Sequence, residues 1–196
     1  MKFSDKEKKD LFFAGLMISL AFAILLSGGF GGILNFSFYI VFVIAFFTAG
    51  VGFLFHELMH KYVAQGYGLF AEFRAYYKML WLAILLSFFG FIIAAPGAVY
   101  IKGNINKEKN GKISVAGPVT NLILGALFLI LLLALRAEGI FRAFLNFGLT
   151  INSLLAAFNM IPFMPFDGSK VIAWNKKIYT ITLILAISLF ALSWFI

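Results

Sequence analysis

The stretch ILNFSFYIVFVIAFFTAGVGFLFHELMHKYVAQ, residues 33–65, is predominantly apolar as far as Phe55 and then runs without a break into His56-Glu57-Leu58-Met59-His60. A helix that crosses the hydrocarbon of a bilayer needs about 20 mostly apolar residues. The run 33–55 meets that length and continues with no proline into His56 and beyond, as far as Gly66 and Gly68, so one long helix continuing to about Gln65 is predicted. Helical positions i and i+4 share a face. His56 and His60 therefore stand side by side at the end of a membrane helix, where ionisable groups are costly and by default functional.

Further runs of the same kind lie on either side: 11–30, 79–98, 113–135, 143–161 and 178–196. The residues are 63% hydrophobic and 12% charged, against roughly half and a quarter in soluble domains. One aqueous core cannot hide so much apolar surface, so the solvent of this chain is largely the lipid bilayer. The length suits a single domain, residues 1–196. The absence of cysteine excludes disulfides, thiolate metal sites and cysteine nucleophiles. The net charge of +8 comes from basic clusters between apolar runs, the pattern of cytoplasmic loops. No interleaving of basic and aromatic residues points to nucleic acid. The N-terminal run Lys2–Asp10 reads as a solvated cytoplasmic end, followed by a retained span.

Run 79–98 differs from the others. It is interrupted at Gly90, closed by Pro96-Gly97, and flanked on both sides by basic residues: Arg74 and Lys78 before, Lys102, Lys107, Lys109 and Lys112 after. Ala98–Ile101 looks extended. A re-entrant or hairpin insertion accounts for both flanks, and its irregular backbone is tolerable at depth only against protein or water. The predicted fold class is thus an all-α polytopic membrane protein. It has about five spanning helices, a re-entrant or hairpin segment near 79–98 and short extended elements at the membrane surface.

The chain has two histidines, and both lie in the His-Glu-x-x-His pattern. Two imidazoles at this spacing can chelate one Zn²⁺, and the glutamate between them, Glu57, is placed to act as general base on a water at the metal. Catalytic zinc requires a third protein ligand. With no further histidine and no cysteine, it must be one of the acids Asp5, Glu7, Asp10, Glu72, Glu108, Glu138 or Asp167. Asp167 is the strongest candidate, because Pro162, Pro165 and Gly168 would unwind the chain and let its carboxylate project inward. Glu72, close in sequence to the histidines, is the next.

These residues, together with Asn159-Met160-Ile161-Pro162-Phe163-Met164-Pro165-Phe166-Asp167-Gly168 and the intervening Ala116-Gly117-Pro118-Val119-Thr120-Asn121, resemble the site-2 protease family of intramembrane zinc metallopeptidases. The resemblance covers about residues 37–175, with Phe166 standing where the family usually has leucine. It implies that His56, His60 and Asp167 hold one zinc per chain and that Glu57 is the catalytic glutamate. It further implies that Asn159 faces the active site and that Gly117, Pro118 and Asn121 shape the core helix or touch substrate. The segment Pro96–Gly103 is similar to the family's extended membrane-surface elements, and an extended substrate could pair with a strand near 97–103.

Topology agrees with this ligand set. With the N-terminus in the cytoplasm and 79–98 re-entrant, the histidines and Asp167 fall on the same, cytoplasmic side of the cell membrane. Were 79–98 to span, Asp167 would emerge roughly 30 Å away, against zinc–ligand bonds of about 2 Å. The implied activity is hydrolysis of peptide bonds in transmembrane substrate proteins. The alternatives are a membrane metal-ion transporter and a catalytically idle relative that binds membrane partners.

Overall fold

The computed structural model describes residues 1–92 and 96–196. Its elements in chain order are α1 (Asp5–Leu26), α2 (Phe30–Ile33), α3 (Phe38–Ala45), a π-helical turn (Phe46–Gly50), α4 (Val51–Gly66), β1 (Phe70–Ala75), α5 (Tyr77–Ser87), β2 (Gly97–Lys102), α6 (Lys107–Leu135), α7 (Gly139–Asn159), α8 (Asp167–Trp174) and α9 (Lys176–Leu192). Several helices begin where the sequence supplies a capping oxygen. Ser4 Oγ accepts from the Glu7 N–H at 3.2 Å, Asn106 Oδ1 from Lys109 at 2.8 Å, and Asn175 Oδ1 from Lys177 and Ile178 at 3.0 and 3.1 Å. Each satisfies N–H groups that the first helical turn leaves without an internal partner.

The chain is an all-α polytopic membrane protein with one small two-stranded sheet, β1 against β2. Among the described residues, four helices are long and apolar enough to cross a membrane: Asp5–Leu26, Phe38–Gly66, Lys107–Leu135 and Gly139–Asn159. The second joins α3, the π turn and α4 into one helix. Run 178–196 forms α9, whose 17 residues stand at the lower limit of spanning length. Within run 79–98, α5 has 11 residues, roughly 16 Å at the usual helical rise and about half the hydrocarbon thickness. The part of that run at residues 93–95 lies outside the described residues. The extended segment at 98–101 is β2; its partner β1 falls in a stretch whose apolar positions are too few to separate strand from loop.

The chain divides into two compact units. One comprises Lys2–Leu54 and Glu72–Tyr100. Its core joins Ala21 and Ile24 of α1 to Ala83 and Ile84 of α5, with Met17, Leu20, Ile33, Phe38 and Phe88 packed around them. Small residues bring α1 against the π turn: a Cβ on Gly50 would fall 2.2 Å from Ser19 Oγ. Between membrane helices, where no hydrophobic effect drives association, such close approach supplies the packing.

The expectation of a solvated end at Lys2–Asp10 holds except at two residues, Glu7 and Asp10. Glu7 is 0% exposed and Asp10 is 4% exposed. Glu7 accepts from the Phe73 N–H of β1 at 2.9 Å, and Asp10 from the Tyr77 hydroxyl at 2.8 Å. A buried carboxylate is tolerable only with such partners, and these come from residues 66 and 67 positions away, which charge counting along the chain does not reveal.

The second unit contains Phe55–Ala71 and Ile101–Ile196. In it α6 packs on α7 and α8, and α9 packs on α7 and α8. Met160, Val171 and Tyr179 form a buried cluster beside Val115 and Ile172. Gly148 and Gly111 lie against Phe128 and Trp174, each too close to admit a Cβ.

Because the chain has no cysteine, single cysteines placed at Lys78 and Asn106 report the path of run 79–98 without background. With α5 too short to cross, both are expected to react with a membrane-impermeant thiol reagent from the same side. Labelling from opposite faces would show that this segment spans.

Candidate metal centre

All residues of the centre lie within the second unit. Helix α4 carries His56, Glu57 and His60, all buried. Helix α7 stops at Asn159, and the prolines at 162 and 165 keep residues 160–166 from continuing it. The chain then turns back so tightly that a Cβ on Gly168 would fall 2.3 Å from the Met160 carbonyl oxygen. That reversal delivers Asp167, the first residue of α8, to the histidines. Asp167 Oδ2 lies 3.4 Å from His56 Nε2 and 3.0 Å from His60 Nε2. Its other oxygen, Oδ1, faces Lys170 Nζ at 3.3 Å.

The donor set tests whether a metal belongs here. His60 Nδ1 lies 2.7 Å from the Ile113 carbonyl oxygen, which can only accept, so that nitrogen carries the proton. His56 Nδ1 lies 2.6 Å from Asn121 Oδ1 and is the donor there too. In a neutral imidazole the other nitrogen is then a bare lone pair. Two such lone pairs and a carboxylate oxygen converge on one point, an arrangement that repels itself unless a cation sits among them. Tetrahedral zinc with bonds of about 2.1 Å separates its ligand atoms by about 3.4 Å, close to the distances seen. His56, His60 and Asp167 also form a group of possible ligand atoms all within 4.8 Å of one another.

Room for the ion is provided by Gly117 of α6. A Cβ there would fall 2.5 Å from both His56 Nε2 and His60 Nε2, in the space a metal would need. Pro118 follows, buried, and as a mid-helix proline it cannot donate to the carbonyl four residues back. The expectation for Gly117, Pro118 and Asn121 left helix shaping and substrate contact open. The structure puts Gly117 and Asn121 against the imidazoles themselves.

Glu57 is buried, next in sequence to His56, and lies in the electrostatic field of His56, Asp167 and Lys170. The residues fit a zinc site that has three protein ligands, an adjoining carboxylate and no fourth protein ligand among the described residues. Glu72, the other acid considered, is engaged elsewhere, at 2.7 Å from Arg74 Nη2 and with the Ser4 hydroxyl. Asn159 donates from Nδ2 to the Leu155 carbonyl of its own helix at 2.9 Å, leaving its second amide hydrogen uncommitted by that bond.

Two contributors were not singled out from sequence. Lys170 carried no signal beyond general basicity. Asn152 did carry one: it is an amide within an apolar run, seven residues before Asn159 and hence on nearly the same helical face.

Comparison with known proteins points the same way. The chain is 44% identical over 182 residues to MJ0611 of Methanocaldococcus jannaschii, provisionally named a zinc metalloprotease, covering 92% of this chain and 90% of that one. It is 30% identical over 135 residues to MJ0392 of the same organism, named a zinc metalloprotease, covering 68% of this chain and 34% of that one. No protein-family model matches the chain, and no solved structure does.

Gly117→Ala separates the cradle from the scaffold. Alanine favours a helix interior over glycine by about 1 kcal/mol, so the helix itself should not suffer. The added methyl should nevertheless displace the ion: metal analysis of purified protein is expected to give about one zinc per chain for the parent and much less for Gly117→Ala, His60→Ala and Asp167→Ala. Full retention in Asp167→Ala would move the third ligand elsewhere.

Proposed function

Because the chain belongs to the zinc metalloprotease family, we propose that it is an intramembrane endopeptidase of the site-2 protease kind, hydrolysing peptide bonds in membrane-spanning substrate proteins. The observation that carries this reading is the position of the ligands. His56 and His60 lie inside Phe38–Gly66, a helix long and apolar enough to cross a membrane, with His56 roughly 15 Å before its end at the usual helical rise. A metal site at such depth is reached by substrates that are themselves in the bilayer.

Zinc, when bound, lowers the pKa of water and polarises a carbonyl. His56, His60 and Asp167 would hold it, with Asp167 Oδ2 facing the imidazoles and Oδ1 facing Lys170. Glu57 takes the proton of the attacking water on its carboxylate and passes it to the leaving amine nitrogen. Asn159 donates its second amide hydrogen to the oxyanion that develops in the transition state. A transmembrane substrate hides its carbonyls in helical hydrogen bonds and must unwind first, and an extended substrate could then pair with a strand near 97–103. The basic loops support a topology with the N-terminus and the site toward the cytoplasm.

A metal-ion transporter would use the same ligands but has no need of a hydrolytic base. An idle relative would have no need of Glu57 at all. The retention of Glu57 beside a complete ligand set favours the protease.

Glu57→Gln separates these readings. It should keep its zinc and lose cleavage of a reconstituted transmembrane substrate by 100-fold or more, within the roughly 10²–10⁴-fold range of general-base catalysis. Cleavage at the parent rate would exclude the proteolytic role of Glu57. Asn159→Leu should lower turnover by roughly 10- to 1,000-fold, the order of loss for one oxyanion donor, with zinc content and folding intact. Normal turnover in the zinc-loaded variant would remove Asn159 from the chemistry.

A further inference from the structure

Asn152 lies on α7, is 0% exposed and has no part in the ligand set. Its Nδ2 donates to the Gly148 carbonyl at 2.9 Å, and its Oδ1 accepts from Asn121 Nδ2 at 3.0 Å. Asn121, also 0% exposed, turns its own Oδ1 to His56 Nδ1 at 2.6 Å. These three bonds form one directed chain across α7, α6 and α4.

The direction has a physical origin. The two ends of an amide are alike in shape and opposite in hydrogen bonding. Either amide could therefore turn over with little change in packing, were it not for the end of the chain. Gly148 offers a backbone carbonyl, which can only accept. Asn152 must present its NH₂ there, which leaves its oxygen toward Asn121. Asn121 must then present NH₂ to Asn152 and its oxygen to His56. His56 Nδ1 must carry the proton, and Nε2 is left as a lone pair facing Asp167 and Gly117. His60 needs no such relay, because Ile113 supplies a backbone carbonyl directly. Reversed, Asn121 would aim N–H groups at His56 Nδ1 and favour the tautomer that cannot bind metal through Nε2.

We infer that Asn152 is a positioning residue of the metal centre: acting through Asn121, it fixes the tautomer in which His56 binds zinc. This rests on the zinc reading given above. Partners that orient metal-bound histidines through their second nitrogen typically contribute 10- to 100-fold in metal affinity.

The test is a double-mutant comparison on the full chain in detergent, stripped of metal and titrated with Zn²⁺ against a chromophoric chelator. Asn152→Leu is expected to weaken zinc binding by roughly 10- to 100-fold. An aspartate at position 121 accepts from His56 whichever way it is turned, so in the Asn121→Asp background Asn152→Leu should cost less than about threefold, the non-additivity expected of coupled residues. Asn152→Ala takes the place of the leucine variant if that one does not fold. Unchanged affinity in the folded variant would overturn the inference, as would an equal loss in both backgrounds, which marks a packing role. Parent protein that binds no zinc, or His60→Ala that binds it equally well, would instead overturn the zinc reading itself.

Discussion

Two imidazole nitrogens carried by a helix long enough to lie in lipid converge with a carboxylate oxygen brought by α8. Hydrocarbon offers no water to keep such atoms apart or to screen them, so their convergence calls for positive charge among them, which a metal ion held by all three would supply. The local structure follows from that requirement. Helix α6 must pass the imidazoles at a residue with no side chain, and it does so at Gly117. Helix α7 must end and the chain reverse so that Asp167 arrives from the far side, and the prolines with Gly168 accomplish this. The outer nitrogens of both rings must find acceptors, which Ile113 and Asn121 provide.

The same small residues that let membrane helices pack also make the chemistry possible. Gly111, Gly148 and Gly168 each admit a neighbour where a methyl would collide. Gly117 differs in that a Cβ there would meet the inner nitrogens of both candidate ligands, His56 and His60. Substitutions at these glycines should therefore separate into losses of packing and losses of metal. Unpaired polar groups in this setting are costly, and the buried ones described here are answered by designated partners: Glu7 by β1, Asp10 by Tyr77, Asn121 by Asn152.

Much of the centre was legible in the order of residues. The four-residue spacing of His56 and His60 needs only the helical period to put both on one face, and the period was assured by the apolar run that precedes them. Asp167 stood out because prolines and a glycine surround it. Other features were not legible. The burial of Glu7 and Asp10 depends on Phe73 of β1 and Tyr77 of α5, more than 60 residues later. The strand β1 itself is a short run that reads equally well as loop. The shortening of 178–196 to a helix ending at Leu192 is an end effect that apolar composition does not register.

The sequence by itself determined the solvent of this protein, its helical class and the identity of the candidate ligands, because apolar length, helical period and residue type are properties of single segments. Tertiary structure alone decided how those ligands are held. Which nitrogen of His56 carries a proton depends on Asn121, 65 positions away, and through it on Asn152, 31 positions further. Which glycine leaves room for the ion depends on how closely α6 approaches α4. Hydrogen-bond direction and close approach are relations between segments, and they exist only once the helices have packed.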